Sequence, residues 1–190
     1  SAWARFALRQ SDIALWMADA SESSIPPAAE RSLVPSGAQA LVLALDTPGG
    51  MMEPMREMIQ GMLSAKFPVI VYISPAGARA ASAGTFIAMA SDLAAMAPNT
   101  SIGAASPVDA GGQEVDETLR SKIENILVAD IKSLADHRGE EAIEWAQESI
   151  TEAKAANEAE ALELGVVDFV ARDVDELLAQ LDGFTVEVNG

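Results

Sequence analysis

Two kinds of hydrophobic pattern alternate along the chain from residue 38 onward. "ALVLALD" (40–46) and "FPVIVYI" (67–73) are continuous apolar runs, of the length of strands that are buried on both faces. Between them, "EPMREMIQGMLSA" (53–65) carries Met55, Met58, Ile59, Met62 and Leu63 at helical spacing. Residues 82–91 predict a short helix, and "LAAMA" (93–97) a short strand. The segment "PNTSIGAASPVDAGGQ" reads as a loop. It leads into an amphipathic helix over about 116–137, with Leu119, Ile123, Ile126, Leu127, Ile131 and Leu134 as its apolar positions. "EEAIEWAQESI" predicts a further helix, "EAEALELG" a helix closed by Gly165, "VVDFVA" a strand, and "DVDELLAQL" a last helix with an Asp cap. Strands that alternate with helices place the chain in the α/β class, with a largely parallel βαβ architecture. Residues 1–37 show no clean period and end in a Ser- and Pro-rich stretch. They are expected to form a short strand or helix and then a loop, a poorly defined region before a domain over 38–190.

Composition narrows the function. At 190 residues the chain is long enough for one domain with a real core. Its 29 acidic and 12 basic residues give a formal charge of −17, which repels phosphate backbones, so no nucleic-acid partner is expected. No uncharged apolar run is long enough to span a membrane. The nearest, 80–97, is interrupted by Ser82, Gly84, Ser91 and Asp92. The absence of cysteine removes disulfides and thiolate chemistry, and the single histidine, His137, argues against a zinc centre. Neither a metal nor a cofactor is expected.

Candidate chemistry lies at the ends of the first two buried strands, the edge where parallel sheets bind ligands. After the first comes "DTPGG" (46–50), whose glycines leave backbone N–H groups unobstructed. After the second, "SPAGARAASAG" leads to Ser82, flanked by Ala81 and Ala83 at a helix start. One reading of that stretch is a tight connection of small residues. The other is a nucleophile near free N–H groups and a positive helix end. Donors from Gly49 or Gly50, together with Ala83, would form an oxyanion hole, in which one donor is worth about 3–4 kcal/mol. "GxSxG" is not matched, because Ala80 occupies its first glycine position. A serine needs a base. His137 sits at the polar end of the long helix, where the dipole favours it. Of the four lysines, Lys66 and Lys154 have solvated settings. Lys122 and Lys132 both lie on the long helix, and phase alone does not separate them.

"LVLALDTPGG", "PVIVYISPAGARAASAGTFIAMASDLAAMAPNTSIGAASPV", "ADIKSLADHRG" and "EALELGVVDFVARDVDELL" together resemble the NfeD-type membrane-bound serine proteases of the ClpP class. The resemblance covers about residues 38–182. It implies a ClpP/crotonase-like fold of repeated ββα units in a single domain. It also implies a Ser–Lys dyad with Ser82 as nucleophile, Lys132 of "IKSLA" as base, and the N–H groups of Gly49, Gly50 and Ala83 as oxyanion donors. The activity so implied is that of a serine endopeptidase that cuts hydrophobic segments of membrane-associated, stomatin-like proteins. A homodimer or larger oligomer is expected, as is an extracytoplasmic, membrane-associated domain excised from a longer membrane protein. Two other functions remain compatible with the residues: a crotonase-like acyl-CoA enzyme, with Asp46 and Glu53 near its glycine turn, and a catalytically inactive scaffold for a membrane protein.

Overall fold

A computed structural model of the chain describes residues 3–8, 13–19, 39–107 and 116–189. Strands β1 (Trp3–Ala7), β2 (Ile13–Asp19) and β3 (Ala40–Asp46) come first, then helix α1 (Met52–Leu63) and strand β4 (Val69–Ile73). Strand β5 (Arg79–Ala81) runs directly into helix α2 (Ala83–Met89), followed by β6 (Leu93–Met96) and β7 (Ser101–Gly103). Helix α3 (Glu117–Leu134), a 3-10 turn (Asp136–Arg138) and helix α4 (Glu140–Thr151) form the next section. Strand β8 (Ala155–Asn157), helix α5 (Glu158–Glu163), β9 (Phe169–Val170), α6 (Val174–Leu181) and β10 (Thr185–Asn189) complete the described chain.

The main sheet is wholly parallel, in the order β2-β3-β4-β6-β9. Alternate residues of its strands point to opposite faces, as the two-residue period requires. Leu43, Leu45, Val69, Val71, Ile73, Ala94 and Met96 face a core shared with α1, α2, α3 and α4. Val42, Ile70, Tyr72, Leu93 and Ala95 face a second core, closed by Leu177 and Leu181 of α6 with Leu8, Val186 and Val188. Both faces are covered, and that is why the strands read as unbroken apolar runs.

Three short strands lie outside this sheet; 101–103 fall in the expected loop, and a strand at Ala155–Asn157 stands beside Lys154, where a helix was expected. They form a smaller sheet, β5-β7-β8, in which β5 and β7 are parallel and β7 and β8 antiparallel. Strand β10 was likewise unforeseen, and pairs with β1. The strand expected over 166–171 shrinks to Phe169–Val170, because Val166 N–H and Val167 N–H both donate to Ala161 O and close α5 instead. The expectation of a short strand or helix near the chain start is met by β1 and β2. Residues 20–38, and 108–115 of the expected loop before α3, lie outside the described residues. Among the described residues no helix is long and apolar enough to cross a membrane.

Candidate active site

The small sheet brings the two glycine turns together. Beyond β3, Thr47 N–H donates to Arg79 O at 2.7 Å, and Ala81 N–H donates to Thr47 O at 3.1 Å. Arg79 N–H also donates to Asp46 Oδ1 at 3.0 Å. The "DTPGG" turn is thereby laced alongside β5, the strand that delivers Ser82. The approach is close: a Cβ on Gly49 would lie 2.9 Å from Ser82 Cβ and 3.4 Å from its Oγ. Only glycine fits there, at φ +130°.

Ser82 precedes the first residue of α2 and takes φ 53° and ψ −113°, a conformation that residues with a Cβ seldom adopt. It is half-buried, and no hydrogen bond engages its Oγ among the described residues. Strain of this kind persists only where the surroundings impose it, and it gathers at functional sites. Here Ser82 N–H donates to Gly103 O at 3.1 Å, and Thr85 N–H donates to Ser82 O at 3.0 Å.

Thr47 distinguishes the two glycines of the turn. Its hydroxyl accepts Gly49 N–H at 3.1 Å and also bonds Gly49 O at 2.9 Å. Gly49 N–H is thus engaged within its own turn. Gly50 N–H and Ala83 N–H have no partner among the described residues. Gly50 is exposed, and a Cβ there would sit 3.9 Å from Ala83 Cβ, so these two residues stand side by side next to Ser82. A developing negative oxygen is what such a pair stabilises.

Neither lysine of α3 is hydrogen-bonded to Ser82. Lys132 is exposed and its Nζ donates to Gln147 Oε1 of α4 at 3.3 Å. Lys122 is exposed and has no polar partner among the described residues. Lys154 pairs with Glu148, and Lys66 is exposed. His137 is in the 3-10 turn after α3, with Nε2 3.0 Å from Ser91 O, past the far end of α2 from Ser82. Burial and the neighbouring Arg138 lower its pKa. Among the described residues no group of three or more His, Asp or Glu side chains is placed to hold a metal ion.

Sequence reasoning passed over Thr47, Thr85 and Arg138. Both threonines are buried hydroxyls, and Thr85 stands between Gly84 and the apolar "FIA" of its helix. Arg138 carried no local signal.

Residues 23–189 match the sequence profile described as NfeD1b, N-terminal domain. The chain belongs to that family. It is 45% identical over 157 residues to the membrane-bound protease PH1510 of Pyrococcus horikoshii, covering 80% of this chain and 35% of that protein. It is 35% identical over 81 residues to the membrane protein NfeD1b of Bacillus subtilis, covering 43% of this chain and 18% of that protein. The chain therefore spans about a third or less of these relatives. Among solved structures, the 1510-N membrane-bound stomatin-specific protease, as a Lys→Ala variant with a substrate peptide, superposes with TM-score 0.76 at 36% identity, covering 93% of this chain and 86% of that one. A Ser→Ala variant of the same protease gives TM-score 0.73 at 37% identity, covering 88% and 82%. ClpP1 of Listeria monocytogenes matches at TM-score 0.62 and 16% identity, covering 88% and 95%, a likeness of fold alone. This NfeD1b-type domain has the ClpP-like α/β fold that its four sequence motifs implied.

Proposed function

We propose that the domain is a serine endopeptidase in which Ser82 is the nucleophile, Gly50 and Ala83 N–H groups form the oxyanion hole, and a lysine of α3 is the base. The observation that carries the reading is Ser82 itself, held at positive φ, with its Oγ and the N–H groups of Gly50 and Ala83 without partners among the described residues. Ser82 Oγ attacks the peptide carbonyl carbon while its proton passes to the neutral amine. The tetrahedral oxyanion lies between the two N–H donors. The ammonium then protonates the leaving nitrogen as the C–N bond breaks, and a water hydrolyses the acyl-enzyme by the reverse sequence.

For the base, Lys122 is placed ahead of Lys132, the lysine that the "IKSLA" resemblance favours. The serine and lysine replaced in the two variants of the Pyrococcus protease lie 41 positions apart. Here Ser82 and Lys122 are 40 apart, whereas Ser82 and Lys132 are 50 apart. Lys132 also has a partner in Gln147, and Lys122 has none among the described residues. Leu119 and Ile126, 51% and 52% exposed, lie one turn to either side of Lys122 on the same helical strip. A homodimer or larger oligomer that covered this strip would dry the amine and favour its neutral form.

Substrates are apolar segments of membrane-associated, stomatin-like proteins, by likeness to the relative whose structure is described as stomatin-specific. The domain acts at a membrane, on its extracytoplasmic side, as part of a longer protein. Among the described residues no carboxylate bonds to Ser82, Gly50 or Ala83, which leaves the acyl-CoA reading without a geometric support. The test is cleavage of an apolar stomatin-derived peptide by wild type and by Ser82→Ala, Lys122→Ala and Lys132→Ala. Loss of turnover in the first two, with melting temperatures kept, is the expected result. Full activity in Ser82→Ala would refute the mechanism, and loss in Lys132→Ala alone would return the base to Lys132.

A further inference from the structure

The conformation of Ser82 has a specific cause in the fold. Thr85, one turn into α2, is fully buried. Its Oγ1 is 3.0 Å from Ala80 O on β5, 3.0 Å from Gly103 O at the end of β7, and accepts Gly103 N–H at 3.2 Å. The hydroxyl has one proton, so it donates to one of the two carbonyls at a time while accepting from Gly103. Gly103 O in turn accepts Ser82 N–H, and Ser82 O accepts Thr85 N–H. Three residues thus close a ring: Ser82 to Gly103, Gly103 to Thr85, and Thr85 back to Ser82.

Gly103 is held on both sides, in register with Ala81 of β5 and Ala155 of β8. It stands at φ +122°, and a Cβ there would lie 2.4 Å from Lys154 O and 2.7 Å from Ala155 Cα. It is wedged against β8, so the ring has a rigid side on β7 and a strained side at Ser82. The strained side carries the nucleophile.

We propose that Thr85 is the positioning residue that holds Ser82 in its positive-φ turn and so sets the aim of Oγ at the oxyanion space. Thr85 does not touch substrate; it acts through Gly103 and the backbone of Ser82. The proposal rests on Ser82 being a nucleophile. Thr85→Val keeps the shape and removes the hydroxyl that joins Ala80 O, Gly103 O and Gly103 N–H, which loosens the tie between α2 and β7 and frees the turn to relax. Thr85→Ser keeps the hydroxyl.

The experiment measures inactivation by a fluorophosphonate probe at a temperature well below every melting transition, read as labelled mass on the intact protein. Wild type and Ser82→Ala frame it: labelling of the first and none of the second establishes the nucleophile independently of Thr85. If wild type is not labelled, the proposed function fails, and the positioning role falls with it. Given labelling, Thr85→Val should lower the maximal inactivation rate roughly 10- to 100-fold, the scale of an ångström misplacement, with the probe's half-saturating concentration unchanged. Thr85→Ser should recover to within about threefold of wild type. A residue that merely stabilised the fold would lower the melting temperature and leave the rate alone. If Thr85→Val does not fold, Thr85→Cys takes its place, a weaker donor of similar size, and should fall below Thr85→Ser. A folded Thr85→Val, or in its absence Thr85→Cys, that is labelled at the wild-type rate overturns the proposal.

Discussion

Gly49→Ala separates the geometry of the site from the stability of the fold. Two effects act on the folded state. At φ +130° an alanine is strained by about 1–3 kcal/mol. The added methyl would also lie 2.9 Å from Ser82 Cβ. Carbon atoms rest at about 3.5–4.0 Å, so the glycine turn and Ser82 must part by roughly 0.6–1.1 Å. Ser82 is tied to Gly103 and cannot retreat freely, so the turn moves and takes Gly50 N–H with it. A displacement near 1 Å in an oxyanion site costs about 100-fold in rate, or about 2.7 kcal/mol of barrier. Gly77→Ala is the matched control: φ is +90°, but nothing lies within 4 Å of the new Cβ. Both variants should lose stability in a urea titration, Gly49→Ala the more because of its added contact, and only Gly49→Ala should lose cleavage of the apolar peptide. Wild-type turnover by a folded Gly49→Ala protein would refute the placement of the oxyanion turn against Ser82.

Other consequences concern the far end of the sheet. Arg138, with a side chain only 2% exposed, pairs with Asp168 at 3.0 Å and donates to Ala88 O and to Ser91 O and Oγ, pinning the end of α3 to the end of α2. Arg138→Met should destabilise by about 3 kcal/mol in urea unfolding, because Asp168 loses its cation and keeps only Ala94 N–H, and Ala88 O and Ser91 O each lose one donor. Adding Asp168→Asn should cost less than the sum of the two single changes, and strict additivity would contradict a coupled pair. Asp92 accepts Val69 N–H at 2.8 Å, and burial raises its pKa despite that bond and the charges of His137 and Arg138. A raised acid contributes stability that is fully present below its unfolded pKa and is lost as pH rises through the folded value. Asp92→Asn should therefore compare more favourably with wild type at pH 7 than at pH 4, as read from melting temperatures. The opposite order would show that its charged neighbours outweigh burial.

The sequence by itself determined the central βαβ frame. Strands β3, β4 and β6 are covered on both faces, so burial alone writes them as apolar runs, and α1 and α3 repeat their core positions at helical spacing. Ser82 at a helix start and the glycine turn after β3 were also legible, because strand ends and glycines are local signals. What only the tertiary structure decided depends on groups distant in the chain. Strands β5, β7 and β8 are three residues each, too short to show a period, and exist because they pair with one another. Gly49 and Gly50 look alike in "PGG", and only the hydroxyl of Thr47 makes one N–H occupied and leaves the other free. Arg138 reads as an ordinary charge after a helix, yet its partners are 30 to 50 residues away. The positive φ of Ser82 is likewise not written locally, since its N–H is held by Gly103 O, 21 residues away.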